Sequence, residues 1–348
     1  MIVVMKTGYT PDQFDTVHRH LAGLGYTVLP IVGEEKTILA AVGGGEHVKV
    51  DALDQIRAYD WVEDVIFITK PYKLVAKESK PAPTELDVKG VKIGGNEIVT
   101  MAGPCTVESE QQLMTTAEAV AKAGAKILRG GAYKPSTSPY SYQGMGVPGL
   151  ELLQAAGKRF GMLVITEVMD VRKVDLVAEY ADILQVGTRN MQNYDLLREV
   201  GLAKVPVMLK RGMSAKIEEW LLAAEYIASN GNEEIMLCER GVRTFEPHTR
   251  NTLDLSAVPA VKSLSHLPVI VDPSQGTGRR ELVGPMSRAA IAAGADGLIV
   301  EVHPNPDHAI KDGAQSITVE AFGEMVPELS RVAAAVDRSL ACDPIRAL

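Results

Sequence analysis

The chain reads as an α/β protein: a (β/α)8 TIM barrel preceded by a small ferredoxin-like α+β domain. Three observations predict this. From residue 89 on, short apolar runs alternate with helical stretches in eight units over about 250 residues, the pattern of a barrel. Residues 1–70 instead run β-α-β-β-α-β. Basic residues stand just past several apolar runs: Arg129 and Lys134, Arg189, Lys210, and Arg240. A buried strand that ends in Arg or Lys points its charge off the carboxyl edge of a parallel sheet, where barrel chemistry occurs.

The small domain opens with a strand at 1–5. A helix at 10–24 follows, with Thr10 as its cap and Pro11 at the first helical position. Strands at 27–32 and 37–42 are joined by the break GEEK. A helix at 50–59 and a strand at 62–68 complete the set. Residues 71–88, rich in Lys and Pro, read as a linker to a barrel at 89–348. The barrel strands are expected at 98–101, 126–128, 163–166, 183–186, 207–209, 235–237, 269–271 and 297–300. Helices at 109–123, 216–229 and 283–293 are the clearest of those between them. An open doubly wound sheet would show the same alternation. No G-x-G-x-x-G follows the first strand, so a dinucleotide fold has no support.

The 348 residues are 46% hydrophobic and 23% charged, with net charge −8. That acidic balance argues against nucleic acid as a partner and makes the local cations more informative. Cys105, Cys238 and Cys342 show no paired spacing, so a reducing, cytoplasmic compartment is expected. The start MIVVMKTGYTP lacks a charged leader and no run of about 18 apolar residues occurs, so neither export nor a membrane is expected.

The strand ends carry the chemistry. The first ends AGPCTVES, with Cys105 and Glu108 at the mouth. The second ends LRGGAYKPSTSPYSYQG, a polar, turn-rich binding loop. Glu167, Gln185, Glu239, Asp272, Gln275, Glu301 and His303 follow at later strand ends. Cations that converge on one small volume repel unless an anion joins them, which predicts a small polyanion such as a phosphorylated carboxylic acid. Cys105, Glu301 and Asp312 could converge on a divalent cation, and thiolate with carboxylates suits a borderline metal better than Mg.

AGPC, LRGGAYKPSTSPYSYQG, QVGTRN, LKRG, CERGVRTFE, DPS and VEVHPNP with a following DG, all within 98–317, resemble class I 3-deoxy-D-arabino-heptulosonate 7-phosphate (DAHP) synthase of the shorter subtype. The resemblance implies condensation of phosphoenolpyruvate (PEP) with erythrose 4-phosphate, the first step of the shikimate route. It implies a PEP set of Arg129, Lys134, Arg189, Lys210 and Arg240, and an aldose set of Pro135, Ser136, Thr137 and Asp312. Lys134, Cys105 and Glu301 are the implied catalytic group. The implied metal ligands are Cys105, Glu301, Asp312 and, at the fourth position, Gln275, with Mn, Zn, Fe or Co as the ion. The N-terminal domain implies feedback by Tyr or Phe, and a homo-oligomer, dimer or tetramer, is implied as well. Two positions depart from the family pattern: it usually has His where this chain has Gln275, and Arg where it has Ser136. These departures leave room for another phosphorylated aldose or for metal-independent chemistry. A barrel that binds PEP without turnover is the remaining alternative.

Overall fold

The computed structural model describes residues 1–32, 36–42, 50–66, 70–136 and 138–341. The chain divides into two compact units, Met1–Pro71 and Tyr72–Leu348.

In the first unit, β1 (Ile2–Met5), α1 (Pro11–Gly23), β2 (Thr27–Val32), β3 (Thr37–Val42), α2 (Val50–Arg57) and β4 (Val62–Ile66) follow one another. The antiparallel sheet has the order β2-β3-β1-β4, the ferredoxin-like arrangement. A capping box starts α1: Gln13 N donates to Thr10 Oγ1 and Thr10 N donates to Gln13 Oε1 at 2.8 Å. Val3, Met5, Val17, Leu21, Leu39 and Ile56 form its core. Leu29, Ile31 and Val32 on β2 are exposed. The GEEK break at 33–35 and the strand end at 67–68 lie outside the described residues.

The second unit opens with a hairpin, β5 (Leu86–Val88) and β6 (Val91–Ile93). Its two-residue turn has Lys89 at φ 49° and Gly90 at φ 89°, both in the positive region that a tight primed turn demands. Eight parallel strands follow: β7 (Glu97–Gly103), β8 (Ile127–Arg129), β9 (Leu163–Val168), β10 (Ile183–Val186), β11 (Val207–Lys210), β12 (Ile235–Glu239), β13 (Val269–Val271) and β14 (Gly297–Glu301). Each pairs with the next, and β14 pairs back onto β7, so the sheet closes. Among the described residues the helices are α3 (Glu110–Lys122), α4 (Val147–Phe160), α5 (Val174–Ala178), α6 (Tyr194–Leu202), α7 (Ile217–Ser229), α8 (Ala257–Leu264), α9 (Pro273–Thr277), α10 (Arg280–Ala292) and α11 (Val319–Ala335). A short β15 (Ser339–Leu340) extends the sheet beside β7.

The strands are apolar on both faces because both faces are covered. Residues such as Ile98 and Ala102 turn outward to Leu113, Leu153 and Phe322. Val99, Met101, Ile165, Met208, Met236 and Ile299 turn inward and form one cluster with Leu86, Val88, Val91 and Ile93 of the hairpin. The hairpin thus plugs the amino end of the barrel. Each such side chain contributes roughly 1.5–3 kcal/mol by burial. The segment 71–88, expected as a linker, joins the larger unit from Tyr72 on. The Lys73, Leu74 and Val75 amides donate to the Glu225 carboxylate at 2.9–3.0 Å, which seats Tyr72 and Val75 in the core.

Candidate active site

The carboxyl ends of the strands build the site from one side to the other. β7 ends at Gly103, whose φ of 154° and whose closeness to the Arg129 carbonyl, 2.1 Å from an added Cβ, leave no room for a side chain. The chain then turns through Pro104 to Cys105. Arg129, at the end of β8, donates from Nη1 to the Pro104 carbonyl at 2.7 Å and lies 3.4 Å from Glu301 Oε1. It is buried, and it is not among the residues that line the cavity described below.

Lys134 follows on the loop after β8. Its Nζ donates to Cys105 O and contacts Cys105 Sγ, both at 3.1 Å. The Cys105 thiol donates to Asp312 Oδ2 at 3.1 Å. Burial, with Glu301 nearby, pushes this thiol up to about 12. Burial works to raise the Asp312 carboxyl as well, but the Cys105 thiol and Arg250 outweigh it and hold the carboxyl below its usual value. Asp312 sits in the left-handed region at φ 54°, a strained conformation that its neighbours must hold. Ligand atoms of Cys105, Glu301 and Asp312 lie within 4.8 Å of one another. Glu301 Oε2 accepts from Gln315 Nε2 at 2.8 Å, while Oε1 is buried, pairs with Arg129 at 3.4 Å and makes no hydrogen bond among the described residues. A buried carboxylate oxygen without a hydrogen bond, beside a thiol and a second carboxylate, fits a divalent, borderline metal ion.

A cavity of about 160 Å³ opens beside this cluster. Six cations line it: Lys134, Arg189, Lys210, Arg240, Arg250 and Lys311, against the two carboxylates Glu167 and Asp312. Lys210 is buried at the end of β11 and donates to Asp272 Oδ2 at 2.6 Å and to Gln275 Oε1 at 3.1 Å. Arg240, also buried, donates from Nη1 to the Gly241 carbonyl at 3.3 Å, and its Nε has no hydrogen-bond partner among the described residues. Burial, more than the nearby Arg250, lowers its pKa, the mark of a guanidinium held without a carboxylate. Glu167 is raised by burial, with Lys134 and Lys210 working against that.

Of the expected aldose set, Pro135, Ser136 and Asp312 line the same cavity, and Thr137 lies outside the described residues. Gln275 lines it too, on α9, where Asp272 caps the helix by accepting from the Gln275 amide at 2.8 Å. Glu108 turns to other work. It accepts from the Ile310 amide at 2.8 Å and meets His303 at 3.3 Å, which ties down the loop that carries Asp312.

Residues 74–336 match the model of the DAHP synthetase I family, and residues 1–70 match the DAHP synthase ferredoxin-like domain. The chain belongs to the DAHP synthetase I family. As a DAHP synthase it is an enzyme that forms a carbon–carbon bond. It is 49% identical to a phospho-2-dehydro-3-deoxyheptonate aldolase of Thermotoga maritima, over 97% of this chain and 98% of that one. A 2-dehydro-3-deoxyphosphooctonate aldolase of Syntrophotalea carbinolica is 32% identical over 73% of this chain and 98% of its own. The crystal structure of the Thermotoga maritima DAHP synthase superposes with a TM-score of 0.94, 48% identity and coverage of 97% and 98%. A truncated form of the Thermotoga maritima synthase superposes with a TM-score of 0.73 and 50% identity, over 77% of this chain and 99% of that one.

Three residues of this DAHP synthase escape a reading by strand ends. Arg250 comes from the loop after β12 and donates to Asp312 Oδ1 at 3.2 Å and Gln315 Oε1 at 3.0 Å. Gln315 bridges Arg250 and Glu301. Lys311 precedes Asp312. None follows an apolar run, so periodicity carries no signal for them. Adjacency to the Asp312 motif is the one cue that points to Lys311.

Proposed function

We propose that the basic cavity is where this DAHP synthase condenses PEP with erythrose 4-phosphate. The observation that carries the reading is the excess of cations, six against two carboxylates, in a cavity beside Cys105, Glu301 and Asp312. PEP brings a phosphate and a carboxylate. Arg240, with no carboxylate of its own among the described residues, and Arg189 suit its anionic groups as bidentate partners. Lys134 and Lys210 add point charges, and Arg129, which also donates to the Pro104 carbonyl, completes the PEP set. Carbon-3 of PEP attacks the aldehyde carbon of erythrose 4-phosphate, water adds at carbon-2, and phosphate leaves with the carbon–oxygen bond. Lys134 is placed to give a proton to the new alkoxide. Cys105, Glu301 and Asp312 would hold a divalent ion, Mn, Zn, Fe or Co, with Gln275 as the fourth candidate. When bound, that ion supplies electrophilic polarisation of the aldehyde oxygen.

Purified protein should consume PEP only when erythrose 4-phosphate is present. EDTA should abolish the rate and added Mn²⁺ restore it. Turnover that survives in metal-free protein overturns the role of the ion. No turnover with any phosphorylated aldose overturns the assignment of the cavity. The ferredoxin-like unit is read as the site of feedback by Tyr or Phe, and the working form as a homo-oligomer, dimer or tetramer. The exposed apolar strip of Leu29, Ile31 and Val32 supports the latter.

A further inference from the structure

We propose that Lys311 is the cation that recognises the phosphate of the acceptor sugar, and so a determinant of acceptor specificity. This rests on the reading of the cavity as the PEP and aldose site.

The deep cations are committed below the mouth. Lys210 is 1% exposed and bound to Asp272 and Gln275, Lys134 is held at Cys105, and Arg240 is 4% exposed. The outer wall must therefore supply the charge for a second phosphate. Ser136 is there but neutral, and its hydroxyl is spent: Oγ donates to the Tyr142 carbonyl at 2.9 Å. Its amide donates to the Lys134 carbonyl at 2.9 Å. Ser136 thus offers a phosphate lone pairs and no donor.

Three cations remain towards the mouth. Arg189 is exposed, has a partner of its own and is read above as a partner of PEP. Arg250 is shared between Asp312 and Gln315. Lys311 lines the same cavity, is half-buried, and makes no hydrogen bond or ion pair among the described residues. Arg279 and Arg280 are nearby in sequence to Gln275 but do not line the cavity. Arg279 is taken by Glu281 and His248, and Arg280 by Asp307 and the Gly313 carbonyl.

The segment that carries Lys311 is fixed on both sides. Glu108 holds the Ile310 amide, and Arg280 holds the Gly313 carbonyl at 3.0 Å. Its lysine is therefore presented rather than free to wander, so less ordering is needed when an anion arrives. An unpaired ammonium among five other cations is unfavourable until an anion joins it. A phosphate monoester on the acceptor is the anion that the second substrate brings.

The test uses the full-length protein and Lys311→Met, which keeps the apolar stem. The KM for erythrose 4-phosphate should rise about tenfold or more, the loss of one charge-assisted contact. The KM for PEP should change far less. The rate with erythrose, which has no phosphate, should fall far less than the rate with its 4-phosphate. Ser136→Arg in the Lys311→Met background should recover most of the affinity for erythrose 4-phosphate by returning a cation to the same wall. Independently of turnover, calorimetry with the protein saturated in PEP should show inorganic phosphate binding that Lys311→Met loses. An unchanged KM for erythrose 4-phosphate overturns the proposal. So does a parallel loss with the phosphorylated and the unphosphorylated sugar, or equal phosphate binding by both proteins. A wild-type protein that forms no DAHP condemns the catalytic reading of the cavity instead, and the phosphate titration still decides the role of Lys311.

Discussion

Gln275 stands where two demands meet. Its Oε1 accepts from Lys210 at 3.1 Å, so the oxygen that would face a cation already serves an ammonium. An amide oxygen is also a weaker donor than imidazole to a borderline metal. Gln275→His should tighten Mn²⁺ or Zn²⁺ binding about tenfold, measured against a chromophoric chelator. An unchanged affinity would mean that position 275 does not face the ion. The residues that the sequence makes visible here share one property, a place just past an apolar run or on the loop that leaves it: Lys134, Arg189, Lys210 and Arg240 all reach the cavity. Arg129 obeys the same pattern and yet is not among the lining residues, its guanidinium turned to Pro104 and Glu301. Strand-end spacing reports which end of the barrel a side chain leaves from, and not how deep it stops.

At the scale of elements, the loop from Cys105 into α3 couples the site to the scaffold. Ser109 caps α3 by accepting from the Gln112 amide at 3.1 Å, one residue after Glu108 secures the Asp312 loop. Ser109→Ala should cost about 1 kcal/mol, read as a fall in melting temperature of roughly 2–4 °C. A variant as stable as the parent would show that the cap contributes nothing. The eight strands were legible because burial on both faces leaves unbroken apolar runs. The hairpin was missed although LDVKGVKI alternates around a Lys-Gly turn. Its three-residue strands are too short for periodicity to stand out from the Lys- and Pro-rich stretch before them. The same stretch read as a linker because its anchoring is done by the distant Glu225, which no local pattern reveals.

For the molecule as a whole, the division at Pro71 separates two units, each with a core of its own. The barrel unit contains every strand end that lines the cavity. A protein of residues 72–348 should therefore keep turnover of PEP with erythrose 4-phosphate, and the proposed inhibition by Tyr or Phe, present in the full chain, should be absent from it. Inhibition by either amino acid that survives the truncation would place the effector site in the barrel. Fold class was open to sequence reading at this scale because both units announce themselves by element order, whereas effector and assembly depend on surfaces that leave no periodic trace. The hairpin at the amino end has one more effect. It packs the amino end of the barrel, so the described cavity lies toward the carboxyl ends of the strands. Lys210 and Arg240 lie at the bottom, and Arg250, 46% exposed, stands at the threshold. If the cavity takes both substrates as proposed, the guest for the deep seat would have to enter before the one for the shallow seat, and a sugar phosphate that arrives early would bar the way.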